Sequence, residues 1–79
     1  MNSLVQRARE TDISILREIL KVLELNNETI NRVNIRLNEY LGDRGDFYAV
    51  LPKGVYHNPT NDDIIRIRYY ICLSEGLIQ

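Results

Sequence analysis

Three kinds of side chain in this sequence could do chemistry: one histidine, one cysteine, and arginines interleaved with apolar and tyrosine residues. His57 could serve as a base or a ligand, yet no Cys, Asp or Glu stands at metal-ligand spacing from it. Asp62 and Asp63 follow five and six residues on, across Pro59. A surface histidine is the expectation. Cys72 would need a basic or helix-start setting to become a nucleophile, and it lies late in an apolar run. It reads as a buried structural thiol. Nothing in the chain builds a glycine-rich phosphate cradle, a nucleophile–base pair, or paired carboxylates against an apolar pocket. The expectation is a non-enzyme, with no metal, no cofactor and no evident small-molecule substrate.

The arginines point to recognition instead. Arg32 and Arg36 are four apart, hence neighbours on one helix face, and Asn31 and Asn34 flank them. Arg66 and Arg68 alternate with Ile65, Ile67 and Tyr69, and Tyr70 follows. Arg and Asn are types that contact phosphates and base edges. The net charge of −1 argues against a surface built throughout to hold phosphate backbones, so nucleic acid would need a local basic patch.

The elements that must position these residues can be read in order. Over residues 2–25, Leu4, Ala8, Ile15, Ile19 and Leu23 recur at spacings of three, four or seven, with Leu16, Leu20 and Val22 widening the stripe. Ser3 is one N-cap and Thr11-Asp12 a second, which predicts an interruption before Thr11 and a helix from Ile13. A stripe this wide exceeds what one partner helix covers, so part of it is a candidate contact with a second subunit. Asn26 and Asn27 end that element and cap a second helix over residues 28–41, whose apolar face is Ile30, Val33, Leu37, Tyr40 and Leu41. Residues 42–46 form a turn; the Arg44-Gly45-Asp46 tripeptide within it is a chance match to an integrin-read motif. Residues 47–51 are the best strand candidate. Pro52, Lys53 and Gly54 make a turn and residues 55–57 a short return, which together predict a hairpin.

The last segment is the most densely marked. Pro59 holds Asn58 extended, Thr60 can accept from the amide three residues on, and Asp62 and Asp63 put negative charge in the first turn. Gly76 can take the left-handed conformation that closes a helix. These signals predict a helix over residues 61–75, against the strand-like alternation of residues 65–69. The apolar side chains fall on two sides of it: Ile65, Tyr69 and Cys72 on one, Ile67, Tyr70 and Leu73 on another. Such a helix is either central in the fold or covered by a partner.

A helix ending in Leu73-Ser74-Glu75-Gly76-Leu77-Ile78 resembles the close of the recognition helix in winged helix-turn-helix domains. The resemblance covers about a quarter of the chain. It implies a DNA-binding transcriptional regulator that meets double-stranded DNA with Arg66, Arg68 and Tyr70, aided by Arg32, Arg36 and Lys53.

The sequence therefore predicts a single domain over residues 1–79, of α+β and mainly α class: two long helices, a short β-hairpin and a C-terminal helix, winged-helix-like in arrangement. The function expected is that of a small regulatory protein binding nucleic acid. The alternative is a protein–protein interaction module, inhibitor or adaptor working through apolar helix faces, with a homodimer or a foreign protein as partner. Its contact residues would be Leu16, Ile19, Leu23, Ile67, Tyr70 and Leu73. A lone cysteine, no secretory apolar segment and no membrane-length apolar run make a cytoplasmic location the expectation, with no membrane as partner.

Overall fold

The computed structural model describes residues 3–42, 50–52 and 58–78. Among the described residues the fold has four helices: α1 (Ser3–Glu10), α2 (Ile13–Val22), α3 (Asn27–Gly42) and α4 (Asn61–Ser74). The first amphipathic stretch is thus two short helices rather than one long one, broken where Thr11 and Asp12 were expected to break it. Asp12 caps α2 by accepting the amide of Ser14 at 2.8 Å and its hydroxyl at 2.6 Å. These two bonds, with a smaller contribution from the Arg66 charge, hold the Asp12 carboxyl below its ordinary range.

α4 is the axis of the molecule. α1, α2 and α3 each pack against it and make little contact with one another. Ile67, Tyr69, Ile71, Cys72 and Leu73 are all buried, and their positions circle the helix, as expected of one enclosed by neighbours. Both of its ends are fixed by local chemistry. Thr60 accepts from the Asp63 amide at 3.2 Å while Asp63 accepts from the Thr60 amide at 3.0 Å, a reciprocal capping box. At the other end the Leu77 amide donates to the Cys72 carbonyl and the Gly76 amide to that of Leu73. Gly76 has φ +75°, so this is a Schellman closure that folds Leu77 and Ile78 back onto the core.

The predicted α+β class is corrected: the described residues form helices and no strand or sheet. Most of the expected hairpin, including Lys53 and His57, lies outside the described residues. Of its first arm, Val50 has the backbone of a tight helical turn, and both Val50 and the adjacent Leu51 are buried in the core. Strand alternation would have placed these neighbours on opposite faces. β-branched and aromatic composition reports fit to a half-buried surface more than an intrinsic backbone preference, and here the helices supply that surface. Among the described residues, no helix is long and apolar enough to cross a membrane.

Candidate interaction surface

The arginines expected on one nucleic-acid face are dispersed around α4. Residues two apart on a helix point about 200° away from each other, so Arg66 and Arg68 cannot share a face. Arg66 turns to α1. Its Nη1 lies 2.6 Å from the carbonyl oxygen of Ala8, 3.0 Å from that of Arg9 and 2.7 Å from that of Thr11. The last carbonyls of a helix have no partner within it, and a cation is favoured where the macrodipole ends negative. Thr11 donates its amide and hydroxyl to the Arg7 carbonyl, so Thr11 and Arg66 together close the end of α1.

Arg32 and Arg36 reach from α3 to the end of α4. Their Nε atoms lie 3.4 and 3.6 Å from the two carboxylate oxygens of Glu75. Arg36 also donates through Nη2 to the Tyr40 hydroxyl at 2.6 Å, the principal reason its pKa is raised above the ordinary value. The Tyr40 and Tyr70 rings follow at 6.4 Å between centroids. The expected basic pair and Tyr70 thus belong to a clasp that fastens α3 to the Schellman turn. Another exposed pair, Arg17 with Asp62, joins α2 to the first turn of α4.

Arg68 is different. It is half-buried in a cleft of about 550 Å³, and among the described residues it makes no hydrogen bond or ion pair. The cleft exists because α2 and α3 both lie on α4 without closing on each other. Leu20, Leu23, Leu25 and Ile30 line it, Cys72 and Val33 lie deeper, and Glu24 and Asn34 complete its edge. Burial pushes the Cys72 thiol up from its ordinary value, partly offset by the nearby Arg68 charge, so the group stays protonated and unreactive.

The predicted contact residues divide in the same way. Leu16, Ile67 and Leu73 are core, and Ile19, Leu23 and Tyr70 are partly buried against it. Exposed instead are Ile15 at 52 % and Val22 at 66 % on α2, and Ile30 at 41 % and Ile35 at 59 % on α3. Ile15 and Val22 are seven apart, two turns along one face, with partly buried Ile19 between them. In the predicted first stripe Ile15 and Ile19 stand on the main line and Val22 among the residues that widen it. That stripe has an inner edge of Leu16, Leu20 and Leu23 packed on the core and an outer edge that none of the described helices covers; both edges follow the same spacing of four and three, so burial and not spacing separates them. No protein-family model matches the chain, and neither a curated protein nor a solved structure matches it.

Proposed function

We propose that this chain is a small non-enzymatic interaction module of the cytoplasm, regulating a process through protein contacts, and that it self-associates through the outer face of α2. The observation that carries this reading is the Ile15–Ile19–Val22 stripe. Single exposed aliphatic residues are ordinary on protein surfaces, but two large ones on one face of a short helix, bridged by a third, form a contiguous patch. Packing two copies along this stripe would bury the patch on each, and a domain of 79 residues has a small core that gains from such a partner. The dispersal of the arginines adds support. Arg66, Arg32 and Arg36 have internal partners, whereas affinity for a phosphate backbone rises with the number of phosphates neutralised.

Sedimentation velocity over about a hundredfold range of concentration tests the reading. The wild type should move from monomer to dimer as concentration rises, and the Ile15→Glu, Val22→Glu double variant should stay monomeric with unchanged helix content. A wild type that remains monomeric throughout, with a constant melting temperature, would remove self-association. Steeply salt-dependent binding to a labelled DNA duplex would favour the nucleic-acid reading in its place.

A further inference from the structure

The cleft beside Arg68 is separate from the outer face of α2 and is unexplained by self-association there. An arginine that is half-buried among aliphatic side chains gives up part of its hydration, and a guanidinium presents planar donors matched to a carboxylate. Every other arginine described on α3 and α4 has found an oxygen: three carbonyls for Arg66, Glu75 for Arg32 and Arg36. Arg68 has a cleft in front of it instead. We propose that this cleft seats a short segment of a partner protein in which one or two bulky aliphatic side chains adjoin a single Asp or Glu, the aliphatic groups lying against Leu20, Leu23, Leu25 and Ile30 and the carboxylate pairing with Arg68.

The edges of the cleft narrow the chemistry. The Asn34 amide can donate to and accept from a peptide backbone. Glu24 carries negative charge to the same cleft, so a run of acids or a row of phosphates is repelled, while one carboxylate placed at Arg68 is accepted. The volume suits a few side chains rather than a helix face several turns long. A protein segment supplies aliphatic bulk and an isolated carboxylate together; a nucleic-acid strand supplies neither.

This inference rests on the reading of the chain as an interaction module, but its test does not depend on the α2 contact. Random peptides displayed on phage would be selected in parallel against the wild type, Arg68→Met and Arg68→Glu, after circular dichroism has established that each variant is folded. The wild type should enrich peptides with Leu, Ile or Phe beside one acidic residue, and Arg68→Glu should exchange that acid for Lys or Arg. The best wild-type peptide, made synthetically, should shift the backbone amide resonances of Leu23, Ile30, Asn34 and Arg68. Replacing its acid by the corresponding amide should weaken binding about tenfold or more, a readout on folded wild-type protein whatever the variants do. Enriched peptides with no acid preference, a preference unchanged by charge reversal, shifts that map elsewhere, or no enrichment at all would each overturn the proposal. A dimer seen by sedimentation alongside such a failure would leave the α2 reading standing; a monomer that still selects acidic-aliphatic peptides would do the reverse.

Discussion

Arg66 and Arg68 lie two residues apart on the same helix, in the repeat Ile65-Arg66-Ile67-Arg68-Tyr69, and the two sides of α4 they serve are opposite in character. On the α1 side a single guanidinium nitrogen holds three carbonyl oxygens; on the cleft side the guanidinium has no partner among the described residues. The sides differ in what the neighbouring helix brings. α1 ends against α4 and delivers bare carbonyls, which need a donor. α2 and α3 lie alongside and deliver aliphatic side chains, which need none. Residue type and spacing are nearly identical on the two sides, and the neighbour decides whether an arginine is structural or available.

The largest effect should come from breaking the saturated side. Arg66→Met leaves the carbonyls of Ala8, Arg9 and Thr11 without their donor and should cost about 2 kcal/mol in denaturant unfolding. Arg66→Lys keeps the charge and offers donors from one nitrogen, but its side chain ends short of the Arg66 Nη1 position, so it should recover only part of that loss. Changes at the ends of α4, which both sides share, come next. Thr60→Ala removes the capping box and Gly76→Ala forces a Cβ into φ +75°, each costing about 1 kcal/mol. No neighbouring atom would meet that Cβ, so the Gly76 penalty is one of backbone conformation alone.

A smaller, pH-dependent effect sharpens the contrast at Cys72, on the cleft side. Its folded-state pKa is raised by burial, so the unfolded chain loses the thiol proton first. Stability contributed by the buried neutral thiol is full below the unfolded value of about 8.5 and is lost as pH rises through the folded value. Melts between neutral and alkaline pH should show this loss, and Cys72→Ala should lack it. The smallest effect is expected at Arg68, where Arg68→Met should leave the unfolding midpoint within about 0.5 kcal/mol of wild type. A loss as large as that of Arg66→Met would erase the distinction between the two sides.

Most of the helix boundaries could be read from the sequence because they are set by chemistry within four or five residues. Asp12, Asn26, Thr60 and Gly76 all act on amides or carbonyls close by in the chain, and each ends or begins a helix where its residue type predicts. What failed depended on distant neighbours. Val50 and Leu51 have strand-forming composition, yet their burial is decided by helices far away in sequence. The destination of Arg66, reaching back more than fifty residues to α1, left no local trace at all. Nor did the gap between α2 and α3 that gives Arg68 its cleft. The apolar width of the α2 stripe was legible, but its division into an inner and an outer edge required knowing which side α4 occupies.

The most direct test of the difference between the two arginines is hydrogen exchange of their guanidinium groups by NMR in nitrogen-15-labelled protein, with the signals assigned from Arg66→Lys and Arg68→Lys. Arg66 should give terminal N–H resonances that exchange slowly with solvent, because its Nη1 is committed to carbonyls. Arg68 should exchange rapidly in the free protein. Slow exchange at Arg68 and fast exchange at Arg66, or equal rates at both, would contradict the assignment of one arginine to the fold and the other to recognition.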